Sequence, residues 1–211
     1  MSNLPPPLPE RLAALPDIHT HNAEAAEHAL LSLNPEDAAA YSAAYPGRMF
    51  SAGIHPWEPY ESDAKEDERF AALRRSLRLE GAAAVGETGF DKLRGPSMEI
   101  QERRFRRHAE LSEEFGVPLI IHLVKAQERL LALRAELRPT LPWIIHGFRG
   151  KREQARQLAA AGLYISFGER FNPEALAAVP ASQRLAETDE SPHPIADIRA
   201  AHERALRDIN A

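Results

Sequence analysis

Residues 15–22 read LPDIHTHN and set His19 and His21 one residue apart behind a short apolar lead-in. On a helix, positions i and i+2 diverge. On a strand they share a face, about 7 Å apart at ~3.3 Å of rise per residue. Two imidazoles placed side by side at a strand end could hold one metal ion. The chain contains no cysteine, which removes thiolate ligands, cysteine nucleophiles and disulfides, so any metal must be held by nitrogen and oxygen. Candidate partners stand at the ends of other short apolar runs: His55 after MFSAGI, Glu87 after AAAVG, His122 closing VPLIIH, His146 closing PWIIH and Asp189 after RLAET. One histidine after an apolar run is more often a satisfied core residue than a ligand. Repetition changes that reading, because ionisable groups behind apolar strands are costly to bury without partners. Four histidines (His19, His21, His122, His146) and two carboxylates (Glu87, Asp189) meeting on one rim can hold two divalent ions. Glu87 would be the bridge, with an activated water between the ions.

Such a rim needs strands that all end on one side. Eight strand candidates follow one another: Asp17–His19, Ala29–Leu33, Met49–Ile54, Ala83–Gly86, Pro118–His122, Trp143–His146, Leu163–Ser166 and Arg184–Glu187. Helical stretches fill most of the gaps. Asn34 and Pro35 signal a helix start running to about Ala44. Asp63–Glu80 and Ser97–Phe115 follow, then Lys125–Leu137, Lys151–Ala161, a cap-and-proline start at Asn172-Pro173, and a terminal helix opened by Pro194. Strands alternating with helices imply a parallel sheet buried on both faces. Eight such units predict an α/β fold of the (β/α)8 TIM-barrel type, whose sites lie at the C-terminal strand ends; an open doubly wound sheet is the competing architecture. Only NAEAAEHA separates the first two strands, so the first crossover helix is expected to be reduced or missing. The PPPLP cluster at residues 5–9 reads as part of an extended N-terminal arm over residues 1–14, and residues 1–211 as one domain.

Composition narrows the function classes. With 211 residues, 44% hydrophobic and 27% charged, the chain reads as soluble and globular. Its apolar runs are too short for a bilayer span and its N-terminus lacks a signal-peptide core, so a cytoplasmic location is expected. A net charge of −5 argues against a surface coated for duplex DNA, though not against a small basic pocket.

In order along the chain, DIHTHN, GIHPW, GETGFD, PLIIH, IIHGFRG and ETDESP resemble the motifs of the TatD-like metal-dependent hydrolases of the amidohydrolase superfamily. The resemblance spans roughly His19 to Asp189. It implies that His19, His21 and Asp189 bind one ion, that His122 and His146 bind the second, and that Glu87 touches both. It also implies that Asp189 takes the proton from the attacking water, work suited to a carboxylate beside a cation. Glu187, two residues before Asp189, reads as a supporting group that orients a ligand. Two departures concern substrate choice. Val124 stands where the family has an arginine in IHxR, followed here by Lys125, and Arg149 replaces the serine of HxFSG.

The segments beyond the strand ends carry Lys92, Arg94, Lys125, Arg149, Lys151, Arg152 and Arg170, enough positive charge to focus anions into a cleft. Lys125 and Arg149, three residues past His122 and His146, are the expected substrate contacts. His55 is a candidate for a phosphate or leaving group, and Phe148 for a pocket wall or stacking surface. The resemblance implies hydrolysis of phosphodiesters, in the manner of a deoxyribonuclease working from 3′ ends, with a nucleic-acid end or small anionic ester as substrate. Hydrolysis of a small amide or lactone, or an inactive barrel serving as a binding module, are the alternatives. The two metals could be zinc, manganese, magnesium, iron or nickel.

Overall fold

The structure, a computed structural model, describes residues 4–24 and 26–210, and the side chains of residues 26 and 210 fall outside the description. Eight strands, β1 (Asp17–Thr20), β2 (Ala29–Leu33), β3 (Phe50–Ala52), β4 (Ala82–Asp91), β5 (Leu119–Val124), β6 (Trp143–Ile145), β7 (Tyr164–Phe167) and β8 (Arg184–Ala186), form one sheet in chain order. Every neighbouring pair is parallel. The sheet closes just beyond β8. There Asp189 bridges to Thr20, its N–H donating to the His19 carbonyl (2.9 Å) and its carbonyl accepting from the His21 N–H (3.1 Å). This is the (β/α)8 barrel.

The helices are α1 (Glu10–Ala13), α2 (Ala38–Ala44), α3 (Asp63–Ser76), α4 (Met98–Phe115), α5 (Gln127–Leu137), α6 (Arg152–Ala160), α7 (Pro173–Ala178) and α8 (Ile195–Asn210). Between β1 and β2 the described residues form only a 3-10 turn, Ala26–His28, which is the reduced first crossover. Ser62, Ser97 and Asn172 cap α3, α4 and α7 through their side chains.

Most element ends fall within one or two residues of the expected ones, α3 stops at Ser76 rather than Glu80, and three differences change the architecture. The Asn34-Pro35 signal is absorbed in a turn, with the Asp37 N–H donating to the Asn34 carbonyl, and α2 begins only at Ala38. β4 continues five residues past Gly86, to Asp91. Where an extended arm is expected, Glu10–Ala13 winds into the single turn α1; residues 1–3 lie outside the described residues.

The core has two layers. The larger lies between sheet and helices and includes Phe50, Leu73, Phe90, Phe105, Leu130 and Trp143. The smaller gathers Ile18, Leu30, Ala84, Ile120, Ile144 and Tyr164 from six strands, with Leu12 of α1 seated among them. Ile120 and His122 are two residues apart on β5 and so share a face, and His146, one residue past β6, keeps the ladder bond to the Ile121 carbonyl (3.0 Å) and follows Ile144 at the same spacing. The smaller layer is therefore the apolar floor beneath the histidines. Leu12 plugs it from the opposite end, and the Tyr164 hydroxyl donates to the Pro6 carbonyl (3.0 Å).

One face of α4 is polar yet buried. Gln101, Arg104 and His108, spaced three and four apart, are 1%, 2% and 0% exposed. Gln101 accepts from the Asp91 N–H (2.7 Å) and donates to the carbonyls of Asp91, Arg94 and Pro96. Arg104 donates to the Glu58 and Pro59 carbonyls (2.6 and 3.1 Å) and forms a forked pair with buried Glu66. His108 Nε2 accepts the Ile54 N–H (2.9 Å), leaving Nδ1 to donate to the Arg104 carbonyl (2.7 Å). Burial pushes this imidazole down to about 4, despite the opposing bond to the Arg104 carbonyl. The stripe thus holds by their backbones the two loops that follow β3 and β4.

Candidate metal centre

Glu87 lies inside β4 between two glycines that only glycine can serve. Gly86 (φ +132°) approaches the Ile120 carbonyl so closely that a Cβ would stand 2.5 Å from it, and at Gly89 (φ +142°) a Cβ would stand 2.0 Å from the His122 carbonyl oxygen. The irregular strand turns the Glu87 carboxylate, 5% exposed, into the mouth of the barrel. Five imidazoles meet it there. Oε1 lies 3.0 Å from His55 Nε2, 2.9 Å from His122 Nδ1 and 2.7 Å from His146 Nε2. Oε2 lies 3.4 and 3.5 Å from Nε2 of His19 and His21, and these two nitrogens are 3.9 and 3.8 Å from Asp189 Oδ1. All six residues expected at the metal site therefore share one rim.

His55 joins them on equal terms. The sequence reading sets it toward the substrate, but it approaches Glu87 as closely as the others do, and with Glu87 and His122 it forms one of four donor groups whose ligand atoms lie within 4.8 Å of one another. The other groups are His19–Glu87–His146, His19–His21–Asp189 and His146–Glu187–Asp189. The donor set fits divalent cations. It is nitrogen and carboxylate oxygen throughout, and neither ring nitrogen of fully buried His19 makes a hydrogen bond, an arrangement that costs free energy unless a cation takes up a lone pair.

The electrostatics follow from this crowding. Burial pushes the Glu87 carboxyl up, but the charge on His146, hydrogen bonds from His122 and His146 and the nearby His19 imidazole together outweigh it and hold the group well below the usual carboxylate range. His146 is held well above its ordinary value: burial opposes the proton, while Glu87 and Glu187 retain it. His19 shifts down, first through burial and then through the positive field of His146.

Supporting groups surround the rim. Glu187, wholly buried, accepts the Gly147 N–H (2.5 Å) and lies 3.7 Å from His146 Nδ1. Asp17 accepts from both the Thr188 N–H (3.0 Å) and hydroxyl (2.7 Å), fixing the segment that ends in Asp189. Burial raises the Asp17 carboxyl to about 6. Asp91 lies 3.5 Å from His122 Nε2 and accepts the Trp57 indole N–H (2.7 Å). The sequence reading assigns no role to Asp17 or Asp91. The signal for Asp91 is its spacing, four residues past Glu87 and hence on the same face of one strand.

The rim opens into a cleft of about 1280 Å³. Lys92, Lys125 and Arg149 line it, interleaved with Glu58, Glu128 and Glu190. Arg94, Lys151, Arg152 and Arg170 do not. Arg149 Nη2 lies 3.7 Å from Asp189 Oδ2. Lys125 holds a left-handed backbone (φ +53°) at the end of β5. Phe148 reaches the cleft but is 8% exposed, its ring packed edge-on against Phe167.

Comparisons with known proteins agree with the fold. The family model described as TatD related DNase matches residues 17–209. The 3'-5' ssDNA/RNA exonuclease TatD of Cronobacter sakazakii is 33% identical over 164 residues, covering 73% of this chain and 61% of that protein. The uncharacterized metal-dependent hydrolase YcfH of Escherichia coli is 34% identical over 151 residues, covering 67% and 55%. This chain thus spans less than two thirds of the length of these relatives. Among solved structures, the TatD homolog YJJV of Escherichia coli superimposes with a TM-score of 0.67 over 90% of this chain and 95% of that one, at 18% identity. A TatD family hydrolase of Entamoeba histolytica gives 0.68 over 82% and 72%, also at 18%. With the barrel, the motif order and a family match over nearly its whole length, the chain belongs to the TatD related DNase family.

Proposed function

We propose that this protein is a metal-dependent hydrolase of phosphodiester bonds, acting on the 3′ ends of single-stranded nucleic acid. The observation that carries the reading is the convergence of five imidazoles on the two oxygens of one buried carboxylate, Glu87. On this reading His19, His21 and Asp189 hold one ion, His122 and His146 hold the second, and Glu87 serves both. His55 lies close enough to Glu87 to join the second group. Divalent ions held there would polarise a phosphoryl oxygen and acidify water.

The chain's own groups do the rest. Asp189, at the open edge of the rim, takes the proton of the attacking water, and the Arg149 guanidinium stands 3.7 Å from its Oδ2. Lys125 and Arg149 neutralise the phosphates on either side of the scissile bond. Glu187 and Asp91 hold the His146 and His122 rings in their bound orientation. The names of the curated relatives, an exonuclease on single-stranded DNA and RNA among them, support the choice of substrate.

The test is hydrolysis of bis-nitrophenyl phosphate and of a 3′-labelled single-stranded oligonucleotide with manganese or magnesium, alongside metal quantification. Asp189→Asn is expected to lower turnover at least ~100-fold while the protein still melts cooperatively. Equal rates would remove Asp189 from the chemistry. Hydrolysis of cyclic amides or lactones but of no phosphodiester would overturn the substrate class.

A further inference from the structure

Trp57 is 42% exposed on the wall of the cleft, yet it is fixed on several sides. Its indole N–H donates to Asp91 Oδ2 (2.7 Å) and its backbone N–H to His55 Nδ1 (3.1 Å). The next two carbonyls, of Glu58 and Pro59, accept from buried Arg104. The neighbouring loop presses against it as well. Gly95 (φ +85°) comes so near that a Cβ there would stand 2.2 Å from the Pro56 carbonyl oxygen and 3.1 Å from Trp57 Cα. A large aromatic ring left in water is ordinary, but one immobilised while half exposed beside a reactive centre is not. Its centroid lies 4.7 Å from that of His55 and 5.4 Å from that of His122, and the Arg94 guanidinium sits 4.5 Å over the ring.

We propose that Trp57, flanked by Arg94, is a stacking platform for a nucleobase at the end of a single strand. The proposal deepens the phosphodiester reading and rests on it. A phosphate held over His55 and His122 leaves its attached nucleoside within a ring's breadth of Trp57. Every base offers a flat π-face to an indole, and the Arg94 guanidinium over the ring adds cation–π attraction. Lys92, Lys125 and Arg149 on the same cleft meet the phosphates. Phe148, nearly buried and packed edge-on, offers no comparable face. Pinning also lowers the cost of ordering the ring on binding.

Trp57 and Trp143 are the chain's two tryptophans, and Trp143 is wholly buried, so ligand-dependent emission reports Trp57. In the full chain stripped of metal, dAMP and a short oligo-dA are expected to quench emission saturably, and deoxyribose 5-phosphate is not. Binding of an end-labelled single-stranded oligonucleotide, followed by anisotropy, then separates stacking from positioning. Trp57→Phe keeps a ring and loses the bond to Asp91, whereas Trp57→Ala loses both. Stacking predicts affinity within ~3-fold of the parent for Phe and at least ~10-fold weaker for Ala. Equal losses in the two variants, or equal quenching by nucleotide and sugar phosphate, would overturn the platform. The two readings fail separately. Wild-type protein that cleaves bis-nitrophenyl phosphate while Trp57 emission ignores nucleotides keeps the chemistry and loses the platform. Saturable quenching without any phosphodiester cleavage does the reverse.

Discussion

His108 makes the stability of this barrel depend on pH in a way that one substitution isolates. The ring is wholly buried and neutral, with Nε2 accepting the Ile54 N–H and Nδ1 donating to the Arg104 carbonyl. Its value falls from 6.5 in the open chain to about 4 in the fold, chiefly through burial. The unfolded chain therefore binds more protons between those values, and stability rises with pH across that window. The contribution is fully present above about pH 6.5 and is lost as pH falls through about 4. The gap corresponds to roughly 3 kcal/mol, of which about 2 to 3 are gone by pH ~4.5. His108→Leu fills much of the same space without a proton site. At pH 7.5 it is expected to cost about 1–3 kcal/mol, because the Ile54 N–H loses its acceptor. In urea unfolding at pH 7.5, 5.5 and 4.5, the deficit of the variant should shrink as pH falls and reach zero or reverse at the lowest value. Buried His19 and His202, also shifted down, titrate in both proteins and cancel from the difference. A deficit that stays constant across the three pH values would refute the neutral, accepting imidazole.

Arg104→Met leaves the buried Glu66 carboxylate with only the longer contact to Arg69 Nη1 (3.5 Å) and is expected to cost about 3 kcal/mol, read as a lower urea midpoint. Adding Glu66→Gln should recover part of the loss, and an unchanged midpoint for the single variant would show that the pair does not hold the loop. Gly95→Ala meets both a left-handed backbone and the Pro56 carbonyl. It should lose at least ~2 kcal/mol, and a wild-type melting temperature would contradict the close approach. Leu12→Ala, in the plug beneath the barrel, should lose about 2–5 kcal/mol, while an unaltered denaturation curve would mean that α1 does not seal the floor.

Most of the candidate site was legible because each of its residues ends or follows an apolar run, and strands in a parallel barrel all end on one side. What escaped had physical causes. In VGETGFD the glycines read as the end of a strand, whereas here they permit close approach of β4 to β5, so the strand runs on and carries Asp91 to the rim. The Asn34-Pro35 start signal was satisfied by a turn, since nothing in the local chemistry distinguishes a turn from a first helical turn. Gln101, Arg104 and His108 have the composition of a solvated helix face. Arg104 and His108 are buried against loop backbone 45 to 54 residues away, which no local pattern reveals, and Gln101 against carbonyls five to ten residues before it. His55 was legible as a site residue, but the side of Glu87 it takes depends on how its loop is hung from α4.

The plug beneath the floor has a consequence for how the chain acquires its shape. Pro6 and Tyr164 meet across 158 positions of sequence, and Leu12 clusters with side chains of six strands, the last of them β7. During synthesis Leu12 and its neighbours have no complete floor to dock on until Tyr164 has emerged. Until then Leu8, Leu12 and Leu15 must stay in water or in the care of a chaperone. The sealed end of the barrel thus waits on distant strands, and its apolar segment stays open to mispairing until they arrive.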